Sequence, residues 1–332
     1  MTRCAVLGGG AWGTALADLL GRNGHDVRIW AYERDVIEAI NRSRENRRFL
    51  KGHKVHARVV GCAEIDDALD GSELVTVATP SHVMRSIIRS GKGSFQAGVI
   101  VVVASKGIET NSLALMTDVA SAELEESTVV AISGPSFATE VASRQPTAVV
   151  VASTDADAAL FAQQSFSSAD FRAYTHDDVI GVEIGGALKN VMAVATGIAE
   201  GVGLGFNARA ALITRGLAEM TRLGTKLGAE AATLAGLAGL GDLVLTCTGS
   251  LSRNRSLGVE IGRGMSLEEV LAGRETVAEG VITTRSARAL AAREGVEMPI
   301  VDAVHRVLFE GQSPRDAIGG LMSRELRSET DR

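Results

Sequence analysis

The run Gly8-Gly9-Gly10-Ala11-Trp12-Gly13 constrains the fold more than any other stretch of the chain. It follows an apolar, strand-like segment, Arg3–Leu7, and leads into a helical one, Ala15–Arg22. This is the G-x-G-x-x-G pattern in a strand–turn–helix setting. Gly8 permits the tight turn, Gly10 lets a pyrophosphate approach the backbone, and Gly13 lets helix and strand pack closely. Unpaired N–H groups and the dipole at the helix start favour an anion there. A secretory signal is the competing reading, drawn from Arg3, the apolar run and Ala15-Leu16-Ala17. The glycines break the helical region that such a signal needs.

The segments after the glycines extend the pattern. Strand-like runs recur at Val27–Ala31, Leu74–Ala78, Val99–Ala104, Thr128–Ile132, Ala148–Ala152 and Phe171–Tyr174, several of them apolar almost throughout. Helical stretches fall between them at Val36–Ser43, Val83–Ile88, Leu113–Glu125 and Ala156–Ser165. Continuous apolar strands are those covered on both faces, and strand–helix alternation implies right-handed crossovers and a parallel sheet. After about Thr175 strand-like runs vanish and Ala/Leu/Gly-rich helical segments take over. The expected architecture is therefore an α/β Rossmann-type doubly wound sheet, residues 1–179, followed by an all-α C-terminal domain, residues 180–332. Gly197, Gly201, Gly203 and Gly205 are read as turns between closely packed helices. The apolar run Val191–Ala199 ends at Glu200, short of the ~20 residues a membrane span needs.

Composition narrows the function. The 332 residues carry a net charge of −6, which argues against a general nucleic-acid binder but allows a local basic pocket. Three cysteines, Cys4, Cys62 and Cys247, form neither a paired framework nor a metal spacing, as expected for a cytoplasmic protein. His53 and His56 have no cysteine or carboxylate company, and His82 is read as lining a pocket.

Cofactor choice should be set where the second strand ends, at Trp30-Ala31-Tyr32-Glu33-Arg34. An acid at the strand end would hold the ribose 2′-OH of NAD, whereas a nearby Arg suits the 2′-phosphate of NADP. No acid stands at the strand end itself, so Arg34 tilts the reading toward NADP, or toward both cofactors. Glu33 as a solvated turn residue and Arg34 as a surface charge remain the bland alternative.

Further polar segments lie at strand ends: Thr79-Pro80-Ser81-His82, Ser105-Lys106-Gly107 and Ser133-Gly134-Pro135-Ser136-Phe137-Ala138. Lys106 after an apolar strand reads as functional, with a solvated turn residue as the alternative; Ser133, Gly134 and Ser136 are also candidates to cap a helix. Gly185-Gly186-Ala187-Leu188-Lys189-Asn190 opens the helical half, with Lys189 in an apolar run and no acid four residues away. Burial would shift such a lysine toward acid–base work, against the alternative of a lysine snorkelling to solvent. Asp242, in Gly239-Leu240-Gly241-Asp242-Leu243, reads as a carboxylate with an internal partner, and Thr246 follows it by one turn. Arg253, flanked by Ser252 and Asn254, offers a forked cation suited to a phosphate dianion.

Taken in order, these segments resemble the bacterial NAD(P)-dependent glycerol-3-phosphate dehydrogenase family, from Val6 to about Gly320. The most specific parts are Gly8–Thr14, Thr79–His82, Ser105–Gly107, Ser133–Ala138, Gly185–Asn190, Asn207–Glu219, Gly239–Thr248 and Ser252–Arg255. The resemblance implies reduction of dihydroxyacetone phosphate to sn-glycerol 3-phosphate for phospholipid synthesis. It makes Lys189 the proton donor and acceptor at the substrate C2 oxygen, with Lys106 stabilising the charge there and Asp242 and Thr246 orienting the lysines. Gly134, Ser136, Asn190, Ser252, Arg253 and Asn254 would hold substrate. Gly8, Gly10, Ala11, Trp12, Gly13, Tyr32, Arg34, Lys106, Ala138, Arg253, Val277 and Glu279 would meet the cofactor. The resemblance further implies a homodimer, no metal and no membrane span. Ala11 stands where the family often has serine, and Phe49-Leu50-Lys51-Gly52 lacks a frequent proline. A 3-hydroxy-acid dehydrogenase of similar layout is one alternative, although such enzymes space the asparagine further from the lysine. A non-catalytic NAD(P)H sensor is another, but it would not need Lys106, Lys189 and Asp242 together.

Overall fold

The computed structural model describes every residue except 275–277, 327 and 330–332. The chain divides into two units, one of Met1–Lys106 with Ala114–Glu183, the other of Gly107–Leu113 with Ile184–Arg332.

In the first unit the described strands are β1 (Arg3–Leu7), β2 (Asp26–Trp30), β3 (Val59–Cys62), β4 (Leu74–Val77), β5 (Ile100–Val103), β6 (Thr128–Ser133), β7 (Thr147–Ala152) and β8 (Phe171–His176). They form one sheet in the order β3-β2-β1-β4-β5-β6-β7-β8. The helices around it are α1 (Ala11–Arg22), α2 (Arg34–Ser43), α3 (Ile65–Leu69), α4 (Met84–Ser90), α5 (Met116–Glu123), α6 (Ala138–Ala142) and α7 (Ala156–Phe166). Strand order reverses between β1 and β4, whose registered ends are Leu7 and Val77. In an open α/β sheet that switch point opens the ligand crevice beyond the strand C-termini.

The central strands β1, β4 and β5 are almost wholly apolar because both sheet faces are covered there. Cys4 and Val6 of β1 enter one buried cluster, while Ala5 and Leu7 enter the other. The expectation of an all-parallel sheet needs one correction: β6 and β7 pair antiparallel, with Ile132 opposite Val151. Residues 134–146 between them contain only the five-residue α6. At about 1.5 Å rise per residue that helix is too short to carry the chain back along the sheet, so β7 returns in the opposite sense.

The helices that follow are α8 (Val179–Val202), α9 (Phe206–Lys226), α10 (Ala231–Ala235), α11 (Asp242–Thr248), α12 (Arg253–Gly262), α13 (Leu267–Ala272), α14 (Glu279–Glu294), α15 (Pro299–Phe309) and α16 (Pro314–Met322). The division between units falls inside α8, at Glu183. By length and composition α8 could cross a bilayer, a longer apolar helix than the run Val191–Ala199 suggested. Yet 83% of its most apolar window is buried within the protein, as in a core helix.

Two glycines expected to make turns do the opposite. Gly197 and Gly201 lie within α8, and a Cβ on them would sit 2.1 Å from the Arg255 carbonyl oxygen and 2.3 Å from that of Val259. From the α12 side, a Cβ on Gly258 or Gly262 would meet the Val194 or Ile198 carbonyl oxygen at 2.2 and 2.3 Å. Four glycines thus let two helix backbones touch, which any side chain would prevent. The turn comes later, at Gly203 with φ +98°.

Candidate active site

The glycine loop lies at the C-terminal end of β1. Gly8 has φ +120°, and a Cβ there would lie 2.7 Å from the Ala78 carbonyl oxygen at the end of β4. A Cβ on Gly13 would lie 1.9 Å from the Gly8 carbonyl oxygen. Gly10 is different: nothing lies within 4 Å of its Cβ position, and it begins α1 without any side-chain cap. Open space in front of uncapped helix N–H groups, with Ala11 and Trp12 in the first turn, fits a dinucleotide pyrophosphate.

Asn46 braces this loop, a role the sequence reading missed. The residue is fully buried; its Nδ2 donates to the Gly9 carbonyl oxygen at 2.7 Å and to Thr14 Oγ1 at 2.8 Å, and its Oδ1 accepts from Phe49 N–H at 3.0 Å. Tyr32 is 83% exposed just past β2. Arg34 begins α2 and forms a solvent-exposed ion pair with Glu64 at 3.2 Å.

At the ends of β4 and β5, Ser105 Oγ donates to the Thr79 carbonyl oxygen at 2.6 Å, tying the two strand termini together. This directs the next residue, Lys106, so that its Nζ reaches the Gly134 carbonyl oxygen at 3.5 Å. Gly134 has φ +140°, and Ser136 Oγ donates to the same carbonyl at 2.9 Å. Ala138 starts the short α6. His82 lies exposed in the turn after β4.

In the second unit, close backbone approach again sets the geometry. A Cβ on Gly185 would lie 2.4 Å from the Ala238 carbonyl oxygen, so α8 rests directly on the π-helical turn Leu237–Gly241. About one turn onward on each segment, Lys189 Nζ meets Asp242 Oδ1 at 2.5 Å, both residues buried. The lysine without an acid nearby in sequence therefore has one in space. A carboxylate at that distance favours the ammonium form and opposes the desolvation that disfavours it. Thr246 Oγ1 donates to the Asp242 carbonyl oxygen at 2.6 Å, with Oδ1 of the same residue at 3.3 Å.

Asn190, next to Lys189, accepts at Oδ1 from Asn254 Nδ2 at 2.9 Å. Asn254 Oδ1 in turn accepts from Gly280 N–H at 3.0 Å. Ser252 caps α12, its hydroxyl accepting from Arg255 N–H at 3.2 Å. Arg253 remains exposed at the start of that helix. Desolvation lowers its pKa from the usual arginine value, and the charge of Glu279 opposes the shift. Arginine stays a cation regardless.

The structure thus gathers Gly8, Gly10, Ala11, Trp12, Gly13 and Asn46 around one turn, and Lys106, Gly134 and Ser136 around one carbonyl. Lys189, Asp242 and Thr246 form one buried polar group, and Asn190 and Asn254 form a second. Val277 lies outside the described residues. His56 offers its backbone N–H to Asp18 at 2.8 Å, a structural contact, and among the described residues no group of three His, Cys, Asp or Glu side chains could hold a metal. Cys4, Cys62 and Cys247 are free thiols, and burial pushes Cys4 and Cys247 up to about 12, so neither is a nucleophile at neutral pH.

A glycine-loop dinucleotide fold joined to a helical unit with a buried lysine–carboxylate pair defines the class of NAD(P)-dependent dehydrogenases. Residues 3–159 match the model of the NAD-dependent glycerol-3-phosphate dehydrogenase N-terminus, and residues 178–319 match that of its C-terminus. The chain belongs to the NAD-dependent glycerol-3-phosphate dehydrogenase family. It is 49% identical over 329 residues to a glycerol-3-phosphate dehydrogenase [NAD(P)+] of Syntrophotalea carbinolica, covering 98% of this chain and 99% of that one. It is 50% identical to the Geobacter sulfurreducens protein of the same name, with 98% of each chain covered. The crystal structure of glycerol-3-phosphate dehydrogenase from Coxiella burnetii superposes with a TM-score of 0.94 at 40% identity, covering 97% of this chain and 99% of that one.

Proposed function

We propose that the chain interconverts dihydroxyacetone phosphate and sn-glycerol 3-phosphate with NADPH or NADH, supplying glycerol 3-phosphate for phospholipid synthesis. The observation that carries this reading is the buried Lys189–Asp242 pair beside the Asn190–Asn254 hydrogen bond, in a chain of this family. Residues 1–179 supply most of the cofactor contacts and 180–332 most of the substrate contacts.

When bound, the cofactor supplies or accepts the hydride at the substrate C2 carbon. Reduction of the ketone builds negative charge on the C2 oxygen, which an ammonium stabilises and then protonates. Lys189 gives its proton to that oxygen in reduction and recovers one from the hydroxyl in the reverse reaction. Asp242 keeps the lysine aimed and stabilises its cationic form, and Thr246 holds Asp242. Lys106 stabilises charge at the same oxygen, with Gly134 and Ser136 fixing its surroundings. Arg253 pairs with the substrate phosphate, and Ser252, Asn190 and Asn254 complete the polar wall. Gly10, Ala11, Trp12 and Ala138 receive the cofactor, with Tyr32 and Arg34 at its adenosine end and Arg253 and Glu279 alongside.

The Arg34–Glu64 pair is solvent-exposed, so breaking it to meet a 2′-phosphate costs about 1 kcal/mol or less. That supports use of NADPH as well as NADH. The protein acts in the cytoplasm as a homodimer.

The test is oxidation of NADPH and of NADH at 340 nm with dihydroxyacetone phosphate and purified protein. Rapid oxidation is expected with at least one cofactor, and Arg34→Ala should lower the NADPH-to-NADH rate ratio several-fold. No oxidation with either, despite measurable NADPH binding, would overturn the substrate assignment.

A further inference from the structure

Two segments singled out in the sequence, Asn207–Glu219 and Ser252–Arg255, each hold an arginine that no step of the reaction uses: Arg209 and Arg255. Both turn to the same acid. Glu200 Oε2 accepts from Arg209 Nη2 at 2.8 Å and from Arg255 Nη1 at 2.5 Å. Glu200 stands eleven residues after Lys189 on α8, about three turns onward and on nearly the same face. It reaches Arg255 because the two helix backbones touch there: a Cβ on Gly197 would lie 2.1 Å from the Arg255 carbonyl oxygen.

Arg255 gives its other donors to the turn that precedes α12. Its Nε donates to the Gly249 carbonyl oxygen at 3.2 Å, and its backbone N–H to Ser252 Oγ at 3.2 Å. Ser252 N–H donates to the same Gly249 carbonyl oxygen at 3.2 Å. These bonds give the turn Gly249–Ser252 its shape, for Leu251 within it is 49% exposed and apolar packing adds little. Beyond the turn, Arg274 Nη1 donates to the Arg253 carbonyl oxygen at 3.3 Å.

A guanidinium that meets a phosphate must be placed to a fraction of an ångström, and neighbours that never touch the ligand hold it there. Arg255 suits that supporting role because its donors point in different directions; a lysine could not serve Gly249 and Glu200 at once. The carboxylate matters equally. Two guanidiniums within hydrogen-bond reach of one oxygen would repel each other without it, and Arg255 would leave the turn. We propose that Glu200 and Arg255 are positioning residues for phosphate recognition. Acting through the Gly249–Ser252 turn, they set where Ser252 and Arg253 meet the phosphate of the substrate. The inference rests on the reading of Arg253 as the phosphate-holding cation and extends it to residues that touch no substrate.

Steady-state kinetics of the full-length protein with dihydroxyacetone phosphate test it, using Glu200→Ala, Arg255→Ala and the two combined. Each single variant should raise the KM for dihydroxyacetone phosphate about tenfold while kcat stays within about twofold. The NADPH dissociation constant, from fluorescence titration, should be unchanged. Residues acting along one line do not add, so the double variant should have the KM of Arg255→Ala. Arg255→Lys, the milder change, should raise KM only about threefold, and thermal melting verifies that each variant folds. An unchanged KM in folded Arg255→Lys and Glu200→Ala would overturn the proposal, as would a double variant whose KM is the product of the two single effects. A fall in kcat together with weakened NADPH binding would assign the cluster to the fold at large and overturn it too. A wild type that binds NADPH but does not oxidise it with dihydroxyacetone phosphate would overturn the substrate reading itself, and this proposal with it.

Discussion

The ammonium of Lys189 lies 2.5 Å from Oδ1 of Asp242, although 53 residues separate them in the chain. Asp242 is almost wholly buried and has Thr246 bonded to its backbone oxygen, so the pair is held rather than dangling. Asp242→Asn keeps the shape but removes the charge that aims the ammonium and keeps it protonated. We expect kcat to fall by about 10²–10³ with NADPH affinity within about twofold. Lys189→Ala should nearly abolish turnover, again with NADPH binding largely intact. Steady-state rates with dihydroxyacetone phosphate and fluorescence titration of NADPH check both. Near-normal turnover in Lys189→Ala would remove it from the mechanism.

Some of this was legible in the sequence and some was not, for physical reasons. The turn at Gly8–Gly13 is local, so strand, turn and helix can all be read from neighbouring residues. Asp242 reads as internally partnered because a carboxylate among apolar neighbours must be paired. Its partner emerges only once Gly185 lets α8 rest on Ala238. Asn46 sits among Arg42, Arg44, Arg47 and Arg48, where a polar residue looks like solvated loop, and its bonds to Gly9 and Thr14 span more than thirty residues. The strand Val59–Cys62 is four residues long and contains a glycine, too little pattern to stand out. The antiparallel turn of β7 was hidden because a fully buried strand is apolar whichever way it runs.

Asn46 offers the second prediction. Its side chain bridges the Gly9 carbonyl, Thr14 and Phe49, so it fixes the loop that receives the cofactor. Asn46→Ala leaves these buried groups without their partner, at about 1–3 kcal/mol. The KM for NADPH should rise roughly tenfold with kcat little changed, since no reacting atom is touched. An unchanged KM would show that the loop holds its shape unaided.

Gly258 offers the third. A Cβ there would meet the Val194 carbonyl oxygen at 2.2 Å, so α12 must move away from α8 to admit it. Overpacking of this kind costs about 1–3 kcal/mol, or roughly 3–10 °C in Tm. Gly258→Ala should also raise the KM for dihydroxyacetone phosphate several-fold, because Asn254 on α12 is bonded to Asn190 on α8. Gly319→Ala on α16, where nothing lies within 4 Å of the new Cβ, is the matched control and should leave both values unchanged or slightly raise Tm. Equal melting of the two variants would mean the helices cross more loosely than the four glycines indicate.

The fourth prediction concerns pH. Glu183, on the first turns of α8, accepts from Thr117 N–H at 2.9 Å and from the Thr117 hydroxyl, fastening the start of α5. Burial raises its carboxyl to about 7, with Asp118 adding to the rise and the Thr117 bonds opposing it. In the unfolded chain the same group titrates near ~4.3. Between those values the folded state binds more protons than the unfolded one, so this group's contribution to stability falls as pH rises through the window and is level above about 7. Glu183→Gln cannot titrate. The stability of the wild type relative to Glu183→Gln, from urea unfolding, should therefore drop on the order of 3 kcal/mol between mildly acidic and mildly basic pH. A difference that stays constant across that range would mean the Thr117 bonds hold the carboxylate charged throughout.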